Sequence, residues 1–442
     1  MNLNKMLLLA CIMLAGIFFH SCNDDEGNGV KTVTTTLNFK APDDLMDKNP
    51  SLTVENLSLK NVNTGEVIDA LAPASKAAAA NQGEVSVTVT VPEGLYNVSM
   101  EGNLSYILDG NEVNTKMRSY KDAVTLTQAV ANVPAEFDSY VYNPSVDGSG
   151  FVLAEIFFTG TETPERKQYN GDKYFRIYNN SGDTLAAAGL TILESEFLTT
   201  SKHDYTPDIM KDTFTVGALY RIPLNDTRKV APGESLLICD VAKDHTADNQ
   251  NSFDLSKADY EWYDESTNPS ITDTDNPDVP NLERIYSKTL TIWGPHNRGF
   301  KAYALAYLGG KDHQLTKEEY IGNMSGTAFK PVTNSPYFYS FSYEISSKNG
   351  PILMSGTAAK VPNSWIIDAV NLSIESDYEW IVTAPSLDKG WTYCGKVDHD
   401  ASRYGKSVRR KVLSGLTLQD TNDSSVDFDA EQTANPYYKF HE

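Results

Sequence analysis

The chain has 442 residues, with 37 Lys and Arg against 59 Asp and Glu, and a formal net charge of −22 at pH 7. So acidic a balance excludes nucleic acid and anionic lipid as bulk partners, because like charge repels them. The length allows two or three domains.

The first residues, MNLNKMLLLACIMLAGIFFHSC, place one cation, Lys5, before an unbroken apolar run from Met6 to Phe19, then small or polar residues before Cys22. Residues 1–21 are therefore read as a secretory signal, too short to span a bilayer as a stable helix. A cysteine at the cleavage point makes Cys22 the expected lipidation site, with acyl chains on the new N-terminus. The permissive form of the site, Phe19-His20-Ser21-Cys22, resembles lipoproteins of the Bacteroidota. The run that follows, Asn23, Asp24, Asp25 and Glu26, is similar to the acidic tag that sends such lipoproteins to the outer face of the outer membrane. Read without that resemblance, residues 22–29 are a solvated tether, since acidic Gly/Asn stretches bury too little apolar surface to fold. Cleavage removes Lys5 and no acid, so the mature chain is more negative still. No other apolar run reaches spanning length, which leaves the acyl anchor as the membrane attachment the sequence displays.

Residues 30–142 read as one small β-sandwich. Val85, Val87, Val89 and Val91 alternate with Ser and Thr, Pro92-Glu93-Gly94 punctuates, and LYNVSM resumes the alternation. LTVENLSLKNVNTGEV (52 to 67) repeats the pattern around a turn at Asn63-Thr64-Gly65. Leu71 to Ala80 has helix-like composition, but Pro73 and the lack of an amphipathic stripe favour a loop crossing. The phrase VPEGLYNVSMEG resembles transthyretin-like or carboxypeptidase-regulatory-like sandwiches, which implies that fold for this domain.

NPSVDGSG (143 to 150) is rich in turn formers and poor in apolar residues, a natural boundary. Beyond it, FVLAEIFFTGT opens a new strand. DKYFRIYNNSGDTLAAAGLTIL (172 to 193), VAPGESLLICD (230 to 240), YGKSVRRKV (404 to 412) and DTNDSSVDF (420 to 428) follow in order the phrases of lamin-tail-like domains. That resemblance implies an immunoglobulin-like sandwich for 151–442. The whole chain also resembles an uncharacterised Bacteroidota lipoprotein family in which such a domain follows a small N-terminal sandwich. A lamin-tail domain needs only about 100 to 150 residues, so the excess from about Asp254 to Ser386 is read as an elaboration that extends the sandwich or adds a subdomain. The expected fold class is thus all-β, two or more sandwiches with the second enlarged by an insertion.

The densest basic stretch, DHDASRYGKSVRRKV (398 to 412), is read as a loop followed by a sandwich strand. On that strand Ser407 and Arg409 share one face while Val408 and Arg410 share the other, with Arg410 held by an acid such as Asp420 or Asp427. Asp398-His399-Asp400 has two carboxylates and an imidazole that could hold a metal. Neighbours on an extended segment diverge, however, and a polar loop with Asx turns is the plainer reading. In the acidic loops, Asp273, Asp275 and Asp278 offer the hard oxygen ligands of a structural calcium site, against ordinary solvated turns. Cys239 and Cys394 are either a disulfide of an exported protein or two small buried hydrophobes. Trp262, Tyr263, Trp293 and the aromatic run 335 to 343 are the candidate ligand-contacting residues, against a core role.

No nucleophile elbow, phosphate loop, dinucleotide fingerprint or zinc spacing occurs in the chain, and no cofactor is expected. The expected function is therefore a non-enzymatic surface lipoprotein that captures a ligand or works with a TonB-dependent outer-membrane receptor. The rivals are an extracellular hydrolase of glycans or peptides with paired carboxylates, and a structural or adhesive surface protein.

Overall fold

A computed structural model of the chain describes residues 31–70, 80–81, 83–108, 110–142, 150–322, 335–348 and 350–441. The expected signal, the Cys22 anchor with its acidic tag, the Leu71 to Ala80 crossing except Ala80, and all but Gly150 of the 143 to 150 boundary lie outside the described residues. Within them the protein is all-β and built of stacked sheets.

In the first sandwich, Ser51–Asn61, Gly94–Leu108 and Asn111–Leu126 form one antiparallel sheet, with Val67–Asp69 at its edge. Thr32–Lys40 and Glu84–Pro92 form the facing layer. Strand Ala135–Tyr142 belongs to both, running parallel to Thr32–Lys40 in its first half and antiparallel to Asn111–Leu126 in its second. The period-2 alternation sends Val85, Val87, Val89 and Val91 inward against Tyr96, Val98 and Met100. The turn at Pro92-Glu93-Gly94 is where the chain changes layers, because the strands either side of it pair with different partners. The opposite face of the larger sheet carries a polar cross-strand row, Glu101 beside Arg118 beside Tyr140.

The second sandwich has a sheet in the order Tyr260–Glu261, Ser235–Cys239, Tyr174–Asn179, Phe151–Phe157, Lys406–Arg410, Phe428–Thr433. Opposite it run Phe338–Ile345, Ile352–Pro362, Thr213–Arg221, Leu190–Ser195, Ala302–Tyr307, Ile366–Ser373 and Thr392–Tyr393. Five strands of the 254–386 segment, Glu283–Ser287, Ala302–Tyr307, Phe338–Ile345, Ile352–Pro362 and Ile366–Ser373, are thus part of the second sheet, so the elaboration extends the sandwich. Phe151–Phe157, Tyr174–Asn179 and Leu190–Ser195 are buried along their whole length. The cause is cover on both faces: the inter-sheet core on one side, and on the other, for example, Leu418 and Phe440 packed over Val152, Ala154 and Tyr178.

Lys406–Arg410 is a central strand, antiparallel to both neighbours. Ser407 Oγ and Arg409 both reach Glu155 Oε1, at 2.6 and 3.0 Å, while Val408 enters the core. Arg410, with a side chain 1% exposed, forks onto Asp368 at 2.8 and 2.8 Å and reaches Asp420 at 3.0 Å and Asp427 at 3.8 Å. Asp368 comes from the opposing sheet, so this ion cluster ties the two layers together. Cys239 and Cys394 are both free and buried, the first packed with Phe157 and Leu255 and the second in the inter-sheet core. The disulfide alternative is thus overturned: each thiol fills a different apolar cluster.

Candidate ligand-binding cleft between the domains

The polar row of the first sandwich docks on loops of the second. Arg118 bridges the two, donating to Glu101 Oε1 at 2.8 Å and to the Thr421 carbonyl. Lys389 reaches back from the second domain to Ser99 Oγ at 3.3 Å. Beside this contact lies a cleft of about 410 Å³. One side is Tyr120, Lys121 and Asp122 of the first domain; the other is the 197–210 loop, Tyr339, and Trp380 to Pro385 of the second.

The second-domain wall is aromatic. Tyr205 stacks on Phe197, with ring centroids 3.8 Å apart and planes 19° off parallel, and lies 6.0 Å from Trp380 at 24°. Phe341 and Tyr343 meet Tyr205 edge-on at 5.7 and 5.1 Å, and His203 stacks on Tyr343 at 4.4 Å. Tyr339, Phe341 and Tyr343 share one face of their strand because side chains alternate. The loop is fixed to that strand by paired backbone hydrogen bonds between Thr206 and Ser342, at 2.8 and 2.9 Å. Trp380 is oriented by its Nε1, which donates to the Leu198 carbonyl at 2.8 Å.

Polar groups ring the aromatics. Tyr120 donates to Asp122 Oδ1 at 2.5 Å, Tyr339 and Thr215 share a hydroxyl hydrogen bond at 2.8 Å, and Lys202, Asp204 and Asp208 are exposed at the rim. Burial pushes the Tyr339 phenol up to about 12 and raises Tyr205 further, so both stay protonated as donors at neutral pH. Ser201 Oγ lies 2.9 Å from His203 Nε2. Among the described residues no carboxylate orients the other ring nitrogen, the third member that an activated serine requires.

The sequence-predicted residues are scattered. Trp262 and Trp293 are 0% and 4% exposed and meet each other and Phe175 or Tyr220 inside the core. Both are thereby corrected from ligand contacts to packing residues, and Tyr263 is half-buried away from the cleft. Of the acidic trio, Asp273 accepts the amides of Asp264 and Thr274 at 2.9 and 2.8 Å, and Asp275 accepts Asn281 Nδ2 at 2.7 Å. The Asp278 amide donates to Asn276 Oδ1 at 3.1 Å. Asp398 accepts Arg298 Nη1 on both oxygens, at 2.9 and 2.7 Å, and the His399 amide at 2.8 Å, and the Arg298 bond above all holds its carboxyl below the usual range. Asp400 caps the turn at Ser402, and His399 is exposed, so this stretch is a polar loop.

Of the aromatic run 335 to 343, Tyr339 reaches the cleft and Phe341 and Tyr343 back its wall. Sequence reading missed Phe197, His203, Tyr205, Trp380 and the Tyr120-Lys121-Asp122 edge. The available signal was the clustering of aromatics in EFLTTSKHDYTPD, a segment otherwise rich in turn formers.

Fold and cleft together define a two-domain all-β protein with a pocket shared between its domains. A family model described as a protein of unknown function (DUF4876) matches residues 231–435. The crystal structure of a DUF4876 family protein from Bacteroides thetaiotaomicron is similar over 91% of this chain and 96% of its own, at 20% identity and a TM-score of 0.49. The major pilin of Streptococcus pyogenes aligns over 77% of this chain and 95% of its own, at 9% identity and a TM-score of 0.11. No curated protein matches the chain.

Proposed function

We propose that this chain is a non-enzymatic binding lipoprotein, anchored through Cys22 and displayed on the outer face of the outer membrane. In this reading the interdomain cleft captures a saccharide ring or another flat, hydroxyl-bearing ligand and presents it to a TonB-dependent receptor. The observation that carries it is the stacked Phe197, Tyr205 and Trp380 wall in a cleft ringed by carboxylates, lysines and phenols. An apolar face with a few directed polar groups is how proteins hold small ligands, and aromatic rings supply that face at low entropic cost. The lamin-tail-like reading of the second domain rests on the order of its four phrases, and the reading as a surface lipoprotein on the N-terminal residues.

The test is calorimetric titration of the mature chain against a panel of oligosaccharides, repeated with Tyr205→Ala and Asp122→Ala. Binding weakened at least tenfold by either change, with no product released from the bound sugar, is the expected result. A panel without any binder, or a bound sugar unaffected by both substitutions, removes the cleft as the site; turnover of the sugar favours the hydrolase.

A further inference from the structure

The strand that brings Tyr339 to the cleft continues past it. Phe338–Ile345 and Ile352–Pro362 are paired antiparallel from Phe338 opposite Ala359 to Ile345 opposite Ile352. The second of them meets Thr213–Arg221 only from Ala359 onward. Among the described residues the stretch from Ile352 to Ala358 therefore has one ladder partner, and the two strands leave the sheet as an arm. Residues directly opposite each other share a face, and alternation sorts the arm into two sides. One side carries Ser340, Ser342 and Glu344 with their partners Thr357, Ser355 and Leu353. The other carries Tyr339, Phe341, Tyr343 and Ile345 with Ala358, Gly356, Met354 and Ile352.

This second side changes character along its length. At the cleft it is aromatic, with Tyr343 against Tyr205 and His203. Phe341 spreads the aromatic surface onto the neighbouring strand: its ring lies over Gly356, where a Cβ would come within 2.6 Å of Phe341 Cζ. Past Tyr343 the side becomes aliphatic and open. Met354, opposite Tyr343, is 38% exposed, Ile352 is 46% exposed, and Ile345 opposite it is half-buried.

The size of this shelf limits what can cover it. Ile352 and Met354 are each less than half exposed, so together they offer no more surface than one large side chain, roughly 150–250 Å². A stable protein interface needs ~800 Å² from each partner. The shelf is too small for a second copy or a receptor and wide enough for an alkyl chain. Its place says where such a chain would come from, because the shelf joins the cleft along a single apolar side while Glu344 stands on the other.

We propose that the ligand of the cleft is an amphiphile. Its hydroxyl-bearing ring is held by Phe197, Tyr205 and Trp380, and its alkyl chain leaves the cleft along Tyr343 to lie on Ile345, Ile352 and Met354. This rests on the reading of the cleft as a ring-binding site and adds the other half of the ligand. A chain on an open shelf is covered on one side only, so it strengthens binding by less than full enclosure would.

Calorimetric titration of the mature chain with methyl and octyl β-glucosides and β-galactosides, the octyl compounds below their micellar concentrations, tests this. At least one octyl glycoside is expected to bind about ten- to a hundredfold more tightly than its methyl counterpart. Ile352→Ser should weaken the octyl glycoside at least fivefold. Leu353→Ser should leave it unchanged, although Leu353 is 68% exposed, because that side chain is on the polar side of the arm. Equal affinity of methyl and octyl glycosides overturns the proposal, and so does an equal loss in Leu353→Ser, which would mark unspecific capture by the arm. A methyl glycoside that is weakened by Tyr205→Ala but gains nothing from the octyl chain removes the amphiphile and leaves the cleft reading standing. An octyl gain that Ile352→Ser abolishes and Tyr205→Ala does not touch removes the cleft reading, and the amphiphile with it. The wild-type comparison decides even where a variant does not fold.

Discussion

Two side chains show how burial sets the value of a single residue. Arg410 satisfies three carboxylates, Asp368, Asp420 and Asp427, none more than 3% exposed at the side chain. Removing the cation leaves buried negative charges without it, which typically costs about 3–5 kcal/mol. Arg410→Ala should therefore lower the melting temperature sharply while the folded fraction keeps its ligand affinity. Arg410→Lys should recover only part of the loss, since one ammonium cannot replace the three guanidinium nitrogens that reach the Leu153 carbonyl, Asp368 and Asp420 separately; thermal melts of the two variants measure this. His296 makes the complementary case in pH. Its Nδ1 accepts the amides of Arg298 and Phe300 at 3.4 and 3.3 Å, and burial, then the charges of Lys301 and Arg298, lower its pKa to about 4. The fold thus disfavours the protonated ring. Its contribution is complete above the unfolded value near 6.5 and is lost as pH falls toward about 4, roughly 3 kcal/mol in all. Denaturant midpoints from pH 7 to 4 should fall in wild type, and the part due to this ring should be absent in His296→Gln.

At the scale of elements, the polar row on the first sandwich serves as a docking face. Glu101, Arg118 and Tyr140 lie in register on three strands; Arg118 bonds both within the row and across to Thr421, and Glu101 also meets Lys389 of the second domain at 3.9 Å. Its side chain is 8% exposed, so the bridge is poorly screened by solvent. Arg118→Ala should loosen the domains from each other without unfolding either. The expected signs are faster proteolysis between the domains and weaker ligand binding, with circular dichroism unchanged; unaltered proteolysis would show that Arg118 does not hold the interface. Close strand approach is the other constraint at this scale. A Cβ at Gly102 would lie 2.1 Å from the Thr53 carbonyl, beside the irregularity where Ser51–Asn61 skips a residue. Gly102→Ala forces the two strands apart, and about 1–3 kcal/mol of destabilisation is the expected cost in a denaturant melt.

Among the described residues the first sandwich has a hydrophobic core of its own, from Val33 to Phe137, and the second has separate clusters, the largest beginning at Phe151, with the cleft between the two sandwiches. Separate cores favour separate unfolding transitions. A ligand held by residues of both domains stabilises both by mass action. Scanning calorimetry should accordingly show two transitions for the free chain that rise together with a bound oligosaccharide. Only the second-domain transition should rise if Tyr120, Lys121 and Asp122 make no contact with it.

Composition and alternation were enough to establish the all-β class and the inward faces of strands such as Glu84–Pro92, because a period of two is a local property of the chain. The same local logic identified Lys406–Arg410 as a strand, with Ser407 and Arg409 on one side and an acid-paired Arg410 on the other. It found Asp420 and Asp427 but not Asp368, the nearest partner, which comes from the other sheet. Alternation says which residues share a face, not what covers that face. Trp262 and Trp293 were for this reason indistinguishable from binding residues until the opposing sheet was seen to enclose them. The cleft was hidden for a related reason: residues 120–122, 197–210 and 380–385 meet only after two sandwiches have folded and docked.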